Sequence, residues 1–247
     1  MDKKFELTEE TIEVDGRTLH RIKALRDIKG SFKKKGDLGG FVEKEENLSH
    51  KGECWIYGNA CVYGSACVYG NAWVNDNAHI FGSAQVYGNA CVYDHARVFD
   101  IAHIFGNARV YGSACVYGHA QVYGVNARVF GIARVHDYAY VALNAWIYDS
   151  AHVSGDTLIS ENMEIGMDAR ITSNDDVCSI SSFGSRNRST TFFKCEDNTI
   201  KVVCGCFKGT LDEFRDKVKE THGNNQYAKE YLAITDVAEL RFNRKMR

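Results

Sequence analysis

From Gly52 to Thr172 the chain is written in sixes. GECWIY, GNACVY, GSACVY, GNAWVN, DNAHIF and GSAQVY open a run of 20 units in 121 residues, with one extra residue in GVNARVF, 124–130. The fifth position is Val or Ile in 20 of 20 units, and the third is Ala in 17 of 20, with Cys54, Thr157 and Met163 the exceptions. The sixth is Tyr or Phe in 13 of 20, and the first two are mostly Gly or Asp followed by Asn or Ser. A strict period of six cannot hold one face of a 3.6-residue helix, and β-branched residues at this density disfavour one. In a strand, positions 3 and 5 share a face, so Ala and Val/Ile point inward together. Gly-Asn, Gly-Ser and Asp-Asn pairs tolerate tight or left-handed backbone, so each unit reads as a short strand and a corner. Three corners close a triangle, and stacked triangles form a hexapeptide β-helix of six to seven coils.

Every third unit then stacks on one face, and the outward fourth position falls into three columns. The first holds Trp55, Trp73, Cys91, Arg109, Arg128, Trp146 and Glu164, with all three tryptophans of the chain. This phase survives the extra residue near Val125 only if that residue bulges. The second column holds Cys61, His79, Arg97, Cys115, Arg134, His152 and Arg170, a basic stripe. The third, Cys67, Gln85, His103, Gln121, Tyr140 and Leu158, carries no concentration of charge. Trp and Arg are the residue types that anchor interfaces. Trp55, Trp73, Arg109, Arg128 and Trp146, with Arg97, Arg134 and Arg170, are therefore the candidate binding residues.

The array resembles the left-handed β-helix superfamily of hexapeptide-repeat proteins, and the left hand is an expectation from that resemblance. The superfamily hosts acyltransferases, γ-type carbonic anhydrases and structural proteins, so the resemblance implies a fold rather than a chemistry. The leader GDLGGFVEKEENLSHKGECWIYGNA, the NAxVYG array and the tail KVVCGCFKGTLDEF resemble hexapeptide-repeat proteins encoded by bacteriophages and prophages. That resemblance implies a viral accessory role.

Residues 1–47 read as an N-terminal β cap, with a hairpin about Asp15-Gly16 and a Gly-rich leader. The solenoid is expected over 48–175. Residues 176–247 read as a ββαα module: a hairpin over 189–206, a helix opened by the Thr210-to-Glu213 capping box, and a second helix from about Gln226 to Leu240. Its expected apolar face includes Phe193, Val202, Val203, Phe207, Phe214, Val218, Tyr231 and Leu232. The module is expected to cap the prism or to mediate trimer contacts.

Net charge is −2 with pI near 6.5, which gives no global field for nucleic acid or an anionic membrane. No run of about 18 apolar residues occurs. Residues 1–16 lack an apolar signal core, so a cytoplasmic setting is expected. The nine cysteines contain no CxxC pair and read as reduced thiols. Proline is absent from all 247 residues; within the array this is expected, because its N–H groups pair between coils, and the array accounts for about half of the absence.

Catalytic signals are weak. No P-loop, GxSxG, HExxH or GxGxxG stands in the chain. The resemblance to acyltransferases implies a His base and a loop leaving the prism, yet the array never breaks by more than one residue. The resemblance to carbonic anhydrases implies three converging His ligands, but His95, His119 and His136 sit at unrelated corners. The spacing of Cys178, Cys195, Cys204 and Cys206 fits no common zinc finger. The expectation is a non-enzymatic interaction protein without cofactor or metal, oligomeric with a trimer favoured, taking a host protein or a small charged ligand in a counter-defence role. The alternatives are an acyltransferase with an inter-subunit site and a self-assembling structural solenoid.

Overall fold

The structure is a computed structural model that describes residues 3–30 and 33–243; Ser31 and Phe32 of the Gly-rich leader lie outside the described residues. It is mainly β: a parallel β-solenoid of about seven coils, followed by a small antiparallel sheet with two helices. All 20 fifth-position Val/Ile side chains are fully buried, in one continuous core with the third-position alanines.

The backbone explains the period. N–H groups at positions 2, 4 and 6 donate to carbonyls at positions 1, 3 and 5 one coil further on, as in Asn71 to Gly88, Trp73 to Ala90 and Asn75 to Val92 at 2.7–2.9 Å. Position 3 commonly closes the corner, as Ala60 N–H does on the Tyr57 carbonyl. Position 1 has positive φ in every unit, from Gly52 at +70° to Met167 at +54°. Proline, with φ near −65° and no N–H, is therefore excluded from five of the six positions. Asp can replace Gly at position 1 because its carboxylate accepts the corner N–H of the next coil. Asp94 does so for Gly112, Asp100 for Gly118 and Asp149 for Met167, at 3.0–3.1 Å.

The first face is a seven-stranded sheet from Trp55 to Glu164, and the third a six-stranded sheet from Cys67 to Leu158, lengthened by a bridge from Leu48 to Val68. The second face is longer. Strands β1 (Phe5–Val14) and β2 (Arg17–Ala24) form the expected hairpin, with Asp15 and Gly16 both at positive φ. β2 pairs antiparallel with β3 (Leu38–Val42), and β3 lies parallel to the Cys61 rung. The N-terminal segment is thus more than a lid: it extends the second face into a ten-stranded sheet. Phe5, Ile22, Ile28 and Leu48 plug the prism end.

At the other end the expected ββαα tail has four strands. Val177–Phe183, Arg188–Lys194, Ile200–Cys204 and Phe207–Thr210 pair in sequence order. VCSISSF reads as a decaying repeat, and FKGT is too short to stand out, so two strands escaped the pattern. Helices α1 (Leu211–His222) and α2 (Gln226–Phe242) follow, and Thr210 and Glu213 form the predicted capping box. The expected single apolar face is in fact two. Phe193 and Val203 join the prism core, while Phe192 and Val202 face Phe214, Val218 and Tyr231. Alternation along a strand requires this split, and it makes the module a plug for the prism. Lys194 to Asp176 and Lys201 to Asp168 ion pairs fasten it.

Candidate functional site

Register places the predicted columns as read. Trp55, Trp73, Cys91, Arg109, Arg128, Trp146 and Glu164 pair rung to rung, and so do Cys61 through Arg170 on the second face. The extra residue is absorbed at Val125. Gly124 takes φ +124°, Val125 is 70% exposed, and Asn126 N–H still reaches the Leu143 carbonyl at 2.9 Å. Arg109 and Arg128 therefore remain register partners.

The candidate residues differ in access. Trp55 is fully buried and lies edge-on to Phe5. It leaves the binding surface because the N-terminal strand covers the first coil. Trp73 is 38% exposed and packs edge-on to Tyr57. Trp146 is half-buried under Arg128, whose guanidinium carbon stands 4.7 Å from its ring centre. Arg97, Arg109, Arg134 and Arg170 are exposed. Among the described residues, none of these five arginines has a carboxylate within ion-pair distance. Arg17, Arg21, Arg26, Arg215 and Arg241 of the flanking segments are ion-paired, whereas Arg186 and Arg188 also lack a carboxylate within ion-pair distance among the described residues.

The first face has borders that the column reading missed. Along one edge runs an asparagine ladder: Asn71 donates to Asn89, Asn89 to Asn107 and Asn144 to Asn162, at 3.0–3.3 Å. Asn126 continues the line and accepts Arg128 Nε–H at 3.0 Å. The signal was present, since position 2 of every third unit from Asn71 to Asn162 is Asn once Val125 is taken as the insertion. Along the opposite edge, Tyr93, Tyr111, Phe130 and Tyr148 stack with ring centres 4.9–5.3 Å apart. Two hollows flank Trp73. One, about 430 Å³, is lined by Lys29, Glu53, Asn71, Asn89 and Cys91; the other, about 230 Å³, by Asn75, Cys91, Tyr93 and Arg109. At the far end Lys208 Nζ stands 4.1 Å from the centre of the Tyr148 ring. There a polar hollow of about 440 Å³ opens between Glu164, Arg188 and Thr191. Burial holds the Glu164 carboxyl above its ordinary range.

Three of the array histidines, His79, His103 and His152, lie on two of the faces, and His95, His119 and His136 stand at corners. Burial lowers the pKa of His79, His103 and His152, helped at His79 by Arg97 and at His152 by Arg134 and Arg170. Among the described residues no three His, Cys, Asp or Glu side chains gather as a metal site, and no helix is long and apolar enough to cross a membrane.

A family model described as the YdcK beta solenoid repeat matches residues 102–118. That stretch spans the middle of the array and agrees with the solenoid geometry. No curated protein matches the chain.

Proposed function

We propose that the protein is a non-catalytic β-solenoid interaction module whose first and second faces receive an acidic protein surface. The observation that carries this reading is the register pairing of Arg109 with Arg128, neither of which has a carboxylate within ion-pair distance among the described residues. Like charges directly opposite in a sheet are destabilising. A partner bringing carboxylates would relieve that cost with charge-assisted, bidentate bonds. Arg97, Arg134 and Arg170 extend the same demand along the second face. The rungs from Arg97 to Arg170 span roughly 19 Å at ~4.8 Å per coil, a length suited to a protein surface more than to a small ligand. Trp73, between two hollows, supplies the apolar anchor.

The resemblance to phage and prophage proteins directs the reading to a host immune protein, bound and inhibited. Covered ends favour this over a self-assembling solenoid, since each prism end is plugged by its own chain. The test is affinity capture from host lysate with wild-type protein and with Trp73→Ala/Arg109→Ala. Loss of two anchors at about 2 kcal/mol or more each should weaken capture by at least ~100-fold, with the circular dichroism spectrum unchanged. An undiminished partner set with the double variant would refute the surface. Recovery of a nucleotide rather than a protein would move the reading to sequestration of a signal.

A further inference from the structure

Lys4 is a lysine with no contact with water. It is fully buried at the N-terminal plug, and its Nζ lies 2.8 Å from the Cys54 carbonyl and 3.0 Å from Cys54 Sγ. Unpaired buried lysines are rare, and among the described residues no carboxylate lies within ion-pair distance of this one. Cys54 is also buried, with its sulfur against the carbonyls of Ser49 and Val68 at 3.5–3.6 Å. It fills the third-position slot that is Ala in 17 of 20 units. Desolvation pushes the Lys4 amine down and the Cys54 thiol up, each opposed by the charge of the other. Both shifts disfavour the charged forms of the pair. Among the described residues no other cysteine sulfur is hydrogen-bonded to a lysine.

We propose that Lys4 and Cys54 are the site of an oxidative covalent bridge, Nζ–O–Sγ, which locks the N-terminal strand onto the first coil. The oxidant is a peroxide. A first hydrogen peroxide converts the thiol to a sulfenic acid and releases one water. A second removes one hydrogen from that S–OH and one from the amine, joins oxygen to nitrogen, and leaves as two waters. The pair gains one oxygen and loses two hydrogens. Access comes through local opening of the segment that leads into β1, since native folds open locally at free energies below that of global unfolding. The bridge spans 50 positions of sequence. It also controls the head of the first face: while Lys4 and Phe5 stay docked, Trp55 stays covered.

The test uses the full chain, reduced, then exposed to hydrogen peroxide, alkylated and mapped by non-reducing tryptic mass spectrometry. A linked peptide pair carrying one added oxygen and two fewer hydrogens is expected, with no cleavage after Lys4 and reversal by dithiothreitol. It should be absent from Cys54→Ala, which places in the slot the residue most other units carry, and from Lys4→Met. Oxidation should also raise the apparent Tm of the wild type by roughly 5–10 °C, as a long-loop cross-link does, and leave both variants unshifted. Exposed Cys206 gauges the dose. If Cys206 is oxidised while Cys54 appears only as thiol, sulfinic acid or disulfide and Lys4 is unmodified, the proposal is overturned.

Discussion

Deleting Val125 should stabilise the protein, whereas deleting a residue at an ordinary corner should unfold it. Val125 is 70% exposed and stands outside the register, because Arg128 and Val129 already pair with Arg109 and Val110. Its removal leaves Gly124-Asn126-Ala127 in the arrangement of Gly106-Asn107-Ala108 one coil before. Gly124 can then relax from φ +124° toward the +69° of Gly106 and the +59° of Leu143. The hydrogen bonds from Asn107 to Gly124 and from Asn126 to Leu143 are compatible with that corner. One ordered residue less saves about 1–2 kcal/mol of backbone entropy, against little lost burial. The expected gain is about 1 kcal/mol, or roughly 2–4 °C in Tm. Deletion of Ser113 is the contrast. It puts the following units out of phase, and a one-residue slip turns every inward side chain outward. Exposing only Val116, Val122 and Val129, the next coil, costs about 5–9 kcal/mol, comparable to the whole stability of a domain. Thermal and urea melts followed by circular dichroism decide the matter. A Val125 deletion that costs more than about 2 kcal/mol, or a Ser113 deletion that melts like wild type, would refute the register argument.

Thr157 sits fully buried in an inward slot with no hydrogen-bond partner for its hydroxyl. Thr157→Val should therefore raise stability by about 1–3 kcal/mol in the same melts, and a decrease would mean that the hydroxyl is satisfied. Burial lowers the folded pKa of His79, His103 and His152, so the unfolded chain takes up protons first as pH falls. Stability is then full above the unfolded value of about 6.5 and declines below it. Melts at pH 7.5 and 5.5 should show the decline, and replacing all three with Gln should flatten it.

The solenoid was legible because its signal is redundant. Val or Ile stands at the fifth position of every unit, and the exceptions to Ala at the third, such as Cys54 and Met163, are outvoted. The columns followed from arithmetic alone, and Arg109 on Arg128 held even across the inserted residue. Access did not follow, because it depends on what the flanks cover. Trp55 and Trp73 occupy equivalent slots, yet Phe5, some 50 positions away, buries only one of them. The role of Asp at the corners is equally non-local. Asp94 looks like a turn residue, but its carboxylate serves Gly112 in the following coil. The C-terminal sheet was half visible because Phe193, Val202 and Val203 read as one apolar face, and only a sheet with a core on each side separates Phe193 and Val203 from Val202.

A parallel solenoid has two kinds of exposed surface: its ends, where backbone groups and core lie open, and its sides. This chain closes the ends with its own segments. Phe193 and Val203 fill one end, and Phe5 and Leu48 the other. One edge among the described residues is that of β1, where Glu6, Glu9, Glu10 and Glu13 and an irregularity between Leu7 and Thr11 oppose pairing with another strand. With backbone pairing discouraged at β1, the proposed recognition would fall to side chains on the three faces. Of these the third is nearly neutral. The first and second carry the five arginines without carboxylates, on rungs whose positions are held by the ladder beneath them. A partner binding there meets guanidinium groups already spaced by the coil repeat, so little ordering entropy of the backbone remains to oppose association.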